Sequence, residues 1–276
     1  MLDKLVRHHY TSVKQKRDCS LPAHSSYQRG FTAMPDGDSR RDGLQLSLLK
    51  GFELTRNGFE VELPRGPQHL LAYLALHERA LPRAQVAGVL WANVPDERAA
   101  GNLRSALWRL RQGGLRVLAP ERDCLSLSGQ VMVDVREADR IAKCVMQPGT
   151  DVCDLHLDDL PLAGELLPGW YDDWVIVERE RLRQMCLHVM EILCERWATA
   201  GYFAKAVMAG IAAVASDPLR ESAHRALIRA YLAEGNHGEA IRQYQVCLRI
   251  LRSELHVAPS AQMAGLVREL PDITLA

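Results

Sequence analysis

An α+β unit followed by an all-α repeat unit is the fold class this sequence predicts, and three observations lead there. Short alternating apolar runs between Leu44 and Leu63 precede three helical patterns and a second set of short runs. The third of those helices has a polar face without a single acid over its last two-thirds. Beyond Trp174 the chain reads as helix, with an aromatic, a glycine and an alanine recurring 34 positions apart.

The chain has 276 residues, which suits two modest domains of about 100 to 200 residues each. With 47% hydrophobic and 25% charged residues it has an ordinary globular composition, and 34 basic against 34 acidic side chains name no polyelectrolyte partner. The balance hides an uneven distribution. Segments 1–43, 44–140, 141–173 and 174–276 carry +3, +2, −6 and +1. The acidic stretch coincides with the turn-rich run Gln147-Pro148-Gly149-Thr150-Asp151, which marks a junction. The expected division is a disordered tail at 1–43, a first domain at 44–146, an acidic linker at 147–173 and a second domain at 174–276. On this division residues 44–146 are expected to fold alone. No apolar stretch approaches the roughly 18 residues that span a bilayer, and no apolar region follows Lys4, Arg7, His8 and His9, so a cytoplasmic protein without membrane contact is expected. Seven cysteines without framework spacing read as free thiols.

Leu44, Leu46 and Leu48 alternate with polar residues, and Asn57-Gly58 separates Phe52-Glu53-Leu54 from Phe59-Glu60-Val61-Glu62-Leu63. Asn-Gly between alternating runs signals a hairpin, because both central residues of a type I′ turn need positive φ. A first helix opens at Pro67 with Leu70, Leu71 and Leu74, and a second, short one opens at Leu81-Pro82 and runs through Val86 to Trp91. Asp96 is expected to cap a third helix that ends at Gly113-Gly114. Leu115 to Leu118, Cys124 to Leu127 and Val131 to Val135 then read as strands. Sheet, three helices and hairpin in this order predict a winged helix-turn-helix.

On the third helix Ala100, Leu103, Leu107 and Leu110 form the apolar stripe. The opposite face carries Arg98, Gly101, Asn102, Ser105, Trp108, Arg109 and Gln112, with Arg104 and Arg111 on one flank, and from Asn102 to Arg116 there are four arginines and no acid. A major groove asks for such a surface, since Arg forks onto guanine or phosphate and Asn or Gln onto adenine. Arg98, Asn102, Arg104, Ser105, Trp108, Arg109 and Gln112 are therefore the candidates for the groove, and Arg111 and Arg122 for phosphate. A solvated amphipathic helix lacking acids is the plainer reading of the same face.

In the second half a shift of 34 aligns Leu193 with Leu227, Trp197 with Tyr231, Gly201 with Gly235, Ala206 with Ala240 and Val207 with Ile241. That period, with the proline of Asp217-Pro218 and Pro259 closing the copies, is the tetratricopeptide pattern. A long helix from Trp174 to Trp197 leads the repeats and a last one from about Ser260 to Leu270 caps them.

Enzymatic readings find no support: there is no Gly-x-x-x-x-Gly-Lys, no Gly-x-Gly-x-x-Gly after a strand and no Gly-x-Ser-x-Gly. Cys144, Cys153 and His156 lie close in sequence, as do Cys186, His188 and Cys194, but without a C-x₂-C knuckle they read as packing residues, and no metal or cofactor is expected. Trp170, Tyr171 and Trp174 are expected to pin the linker to the repeats rather than to line a ligand cleft. His224 and His237 read as packing or exposed residues.

Leu90-Trp91, the run Ala99-Ala100-Gly101-Asn102-Leu103-Arg104-Ser105-Ala106-Leu107-Trp108-Arg109-Leu110-Arg111, Gly164-Glu165-Leu166-Leu167-Pro168-Gly169 and Glu178-Arg179-Glu180-Arg181-Leu182 resemble the Streptomyces antibiotic regulatory protein type of transcriptional activator. Asp217-Pro218-Leu219-Arg220-Glu221, Ala240-Ile241-Arg242-Gln243-Tyr244, Leu255 and Pro259 resemble the bacterial transcriptional activation domain. The likeness covers roughly 44 to 270. It implies a winged helix of the response-regulator output type, a tetratricopeptide-like activation domain, double-stranded promoter DNA with direct repeats, a homodimer on adjacent repeats, and RNA polymerase holoenzyme as the recruited partner. Three departures stand out: Gly101 where the family has a polar side chain, Arg122 as the single basic wing tip, and no chain left for the ATPase domain of larger members. A sequence-specific activator is the expected function, and a protein-binding adaptor whose winged helix lacks specific DNA affinity is the alternative.

Overall fold

The structure is a computed structural model that describes residues 43–120, 122–157 and 164–268. The expected tail, up to residue 42, lies outside them.

The first strands form where alternation was read. β1 (Leu44–Ser47) buries Leu44 and Leu46 and exposes Gln45, and it pairs antiparallel with β2 (Glu53–Arg56). β2 turns at Asn57 (φ 54°) and Gly58 (φ 84°) into β3 (Phe59–Glu60), so the hairpin has the two positive-φ residues that a type I′ turn requires. Helix α1 (Arg65–Ala75) follows, with Pro67 in its first turn. Leu81–Pro82, expected as the start of a helix, is instead strand β4, and α2 covers Arg83–Leu90. Helix α3 spans Asp96–Gln112. Asp96 does not cap it. Pro95 holds the cap position without a side-chain hydrogen bond, and Asp96 and Glu97 supply negative charge to the first turn, where the helix dipole favours it.

The wing is shorter than the sequence suggests. Ala119 N donates to Ser126 O at 3.1 Å and Ser128 N to Val117 O at 2.9 Å, while β5 (Cys124–Leu125) pairs with β4. The third run does not extend the hairpin. β6 (Met132–Val133) lies parallel to β1, and helix α4 (Asp134–Met146) begins at once, so Val135 is helical rather than extended. Asp134 explains the switch: its carboxylate accepts from Leu48 N, Leu49 N and Val135 N at 2.7–3.0 Å, fastening the end of β1 to the start of α4. Burial raises its pKa above the ordinary value, and those backbone donors oppose the rise.

The helical half begins with α5 (Asp173–Thr199) and continues through α6 (Phe203–Ser216), α7 (Glu221–Glu234) and α8 (His237–Ile250); a π-turn at Leu251–Leu255 leads to α9 (Ala261–Arg268). The aligned glycines end equivalent helices. Gly201 (φ 82°) and Gly235 (φ 83°) adopt the left-handed conformation, and beyond them Tyr202 N and Asn236 N each donate at 2.8 Å to the carbonyls of Trp197 and Tyr231. At Gly210 of α6 a Cβ would stand 3.0 Å from the Leu227 side chain of α7 and 3.1 Å from Cys194 Sγ, so a larger residue there would press α7 outward.

The cores cross the boundaries expected at 146 and 174. One core joins β1, β2 and α1–α3 to Leu166, Leu167, Val175 and Leu182. A second joins Ala142 and Val145 of α4 and Val152 to Leu193, Trp197, Ala206 and Ala226, and two smaller clusters lie within the helical half. The described residues on either side of 158–163 are held by hydrogen bonds. Lys50 N donates to Glu165 O and Leu167 N to Leu48 O, both at 2.9 Å; Arg179 donates to the carbonyls of Leu166, Leu167 and Trp170; and Arg196 holds Gln147 O. Trp170 and Trp174 pack on His69 and Tyr73 of α1, so they pin this segment to the first half and not to the repeats; Tyr171 is 80% exposed.

Candidate nucleic-acid interface

Helix α3 places the candidate residues. Ala99, Leu103, Ala106, Leu107 and Leu110 are buried, a stripe of about 100° at helical spacing. It is broader than the stripe expected from Ala100, which is half-buried, because α1 and α2 both pack on α3. Arg98, Arg104, Ser105, Trp108, Arg109, Arg111 and Gln112 are exposed, and Asn102 is half-buried at the margin of the stripe. Ser105 Oγ donates to Gly101 O at 3.0 Å, so one of its hydrogen-bonding directions is already used within the helix. Arg109 and Arg111 lie in the last turn, where the dipole favours cations. Among the described residues Arg98, Arg104, Arg109, Arg111 and Arg116 form no ion pair.

Arg122 stands exposed at the wing tip, and its carbonyl accepts from Arg83 Nε at 3.1 Å. Between the second half of α3 and the wing lies an open groove of about 450 Å³, floored by Leu107, Leu110 and Leu118 and edged by Arg83, Arg111 and Arg116, with no acid among the described residues of its lining. Arg116 belongs to the acid-free run that the sequence displays. Arg83 had no local signal, because only the folding of the wing onto the start of α2 brings it there.

Elsewhere the polar groups serve the fold. Glu191, buried in α5, accepts from Arg220 Nε at 2.7 Å and Ser222 Oγ at 2.6 Å. His224 is fully buried between Pro218 O at 2.9 Å and the Gln243 amide at 2.7 Å, and burial lowers its pKa. Burial pushes the Cys186 thiol up to about 11 and the Cys194 thiol up to about 12, which removes them as nucleophiles near neutral pH. Among the described residues no group of three or more His, Cys, Asp or Glu is placed to hold a metal, and no helix is long and apolar enough to cross a membrane.

Comparison with known proteins bears on both halves. The family described as bacterial transcriptional activator domain matches residues 161–270. The regulatory protein AfsR of Streptomyces coelicolor is 28% identical over 239 residues, covering 82% of this chain, and AfsR of Streptomyces griseus is 28% identical over 254 residues, covering 86%. This chain spans 24% and 25% of those relatives, about a quarter of their length. The structure of Mycobacterium tuberculosis EmbR in complex with a low-affinity phosphopeptide superposes with a TM-score of 0.65 at 19% identity, over 82% of this chain and 64% of that one, which shows a common fold.

Proposed function

We propose that this chain is a transcriptional regulator of the Streptomyces antibiotic regulatory protein type, a reading supported by its similarity to the bacterial transcriptional activator domain over residues 161–270 and to the AfsR proteins, and that it binds double-stranded promoter DNA through α3 and the wing and recruits RNA polymerase through its helical half. The observation that carries the DNA part is the exposed face of α3: Arg98, Arg104, Arg109 and Arg111 are solvent-facing and without ion pairs among the described residues. Unpaired guanidinium groups on one helix face keep their donors available for phosphate and for guanine edges. In this reading Arg98, Asn102, Arg104, Ser105, Trp108, Arg109 and Gln112 enter the major groove, while Arg111 and Arg122 meet phosphate.

The helical half supports the second part. Segment 174–276 is near neutral, so it has little electrostatic reason to touch DNA, and its paired helices, read as tetratricopeptide-like repeats, offer a surface for protein. Two protomers would occupy adjacent direct repeats.

A gel shift across a salt series tests the DNA reading. Binding through phosphates releases counterions, so the logarithm of affinity should fall with that of salt at a slope of about 0.9 per phosphate neutralised. Affinity that ignores salt would leave the adaptor reading in its place. Transcript yield from purified polymerase at saturating regulator then tests recruitment, with yield unchanged by the regulator as the outcome against it.

A further inference from the structure

Every other exposed candidate on α3 is polar; Trp108 is not. Its side chain is 57% exposed in the middle of the face, one helical turn from Arg104 and Ser105 on one side and from Arg111 and Gln112 on the other. No core of the described residues includes it, and among those residues its indole makes no ring contact and no hydrogen bond. The α3 packing therefore does not require this residue, and leaving so large an apolar ring in water gains the fold nothing.

Resting on the DNA-binding reading above, we propose that Trp108 is a specificity-determining residue that recognises the 5-methyl group of a thymine in the major groove. The chemistry of the groove singles out that partner. Base edges there present acceptors at guanine N7 and O6, adenine N7 and thymine O4, donors at cytosine N4 and adenine N6, and one apolar group, the thymine methyl. The arginines, Asn102, Ser105 and Gln112 match the polar groups; an uncharged indole with one donor and no acceptor matches the methyl. The surrounding guanidinium groups bring the helix to the duplex, and contact with the methyl removes apolar surface on both sides from water.

The test starts with duplex selected by the full-length chain from a random pool. Each thymine of the selected site is then replaced, one at a time, by deoxyuridine, which removes only the methyl. The wild type should lose about threefold to tenfold in affinity at one or two positions per protomer, as loss of one buried thymine methyl implies. Trp108→Ala should bind the thymine duplex weaker by a similar factor, become indifferent to deoxyuridine at those positions, and keep the salt slope of the wild type. Trp108→Phe should retain part of the discrimination, and unchanged thermal melting of both variants separates the effect from folding. Equal wild-type affinity for every deoxyuridine duplex, or discrimination that persists in Trp108→Ala, overturns the assignment while DNA binding stands. A lower salt slope in Trp108→Ala also overturns it, by showing that the indole serves a phosphate contact. If selection enriches no sequence, the DNA reading and this inference fall together.

Discussion

The arginines of α3 and the wing are used differently from those of α4 and the helical half. In the helical half Arg181 pairs with Glu178 and Asp139, Arg183 with Glu180 and Asp217, Arg220 with Glu191, Arg225 with Glu221, Arg229 with Glu195 and Arg242 with Glu239. Arg136, Arg179 and Arg196 are turned onto backbone carbonyls that helix ends and loops leave over. On α3 and beside the wing, Arg98, Arg104, Arg109, Arg111 and Arg116 have neither kind of partner among the described residues. The distribution of acids accounts for much of the difference: the one-turn neighbours of Asp96 and Glu97 are Ala99, Ala100 and Gly101, and no acid stands between Asn102 and Arg116. What distinguishes the regions is that an arginine with a carboxylate or carbonyl already satisfied is spent on the fold, whereas an unpaired one retains its donors for a polyanion.

The comparison breaks most visibly where the halves interlock. The isolated fragment 44–146 lacks Leu166, Leu167, Val175 and Leu182, all buried in its core, and should be molten, with near-UV circular dichroism lost and far-UV signal kept. Extending it to residue 183 should restore a cooperative melt. A cooperatively melting 44–146 would show that the interlock adds nothing to the first core. Next in size, Arg220→Ala strands the buried Glu191 carboxylate and should cost about 2–4 kcal/mol of stability by urea unfolding, with DNA affinity below saturation of the unfolded fraction unchanged.

Arg109→Ala inverts that pattern. It should leave the urea midpoint where it was and weaken binding to the selected duplex by about 1–3 kcal/mol, measured by gel shift at fixed salt. A shifted midpoint would place Arg109 with the structural arginines. The smallest effect is a pH dependence. His224 is held neutral by burial, with its folded pKa below the unfolded value, so the unfolded chain takes up a proton first as the pH falls. Its contribution is complete above about pH 6.5, the unfolded value, and is lost as the pH drops toward the lower, folded one. His224→Gln, which keeps a donor toward Pro218 and an acceptor toward Gln243, should melt with a shallower loss between pH 7 and 5 than the wild type. Comparing the two proteins cancels Asp134, whose raised pKa acts in the opposite sense. Parallel melting curves would remove His224 from the balance.

How much of this was legible in the residues follows from the range of the interactions. Asn57-Gly58, the alternation of Leu44 and Leu46, and the 3.6-residue period of Leu103, Leu107 and Leu110 are local signals, decided by φ preference and by which side of an element can be apolar. So is the recurrence of Gly201 and Gly235, since a left-handed helix end needs glycine whatever surrounds it. The polar face of α3 was readable for the same reason, down to the missing acids. The sequence by itself thus determined the first hairpin, the helices α1 and α3, the glycine-ended helices of the second half, and which surface of α3 faces outward. Only tertiary structure decided that Leu81–Pro82 is strand, because its partner is Leu125 of the wing, that Asp134 turns the third run into a helix by collecting amides from Leu48 and Leu49, and that Arg83 reaches the groove. It also decided where the cores divide. The acidic composition of 141–173 read as a solvated junction, but Leu166, Leu167 and Trp170 within it find apolar surface on β1, β2 and α1, and burying that surface together with Arg179 on their carbonyls outweighs the tendency of charged flanks to stay in water.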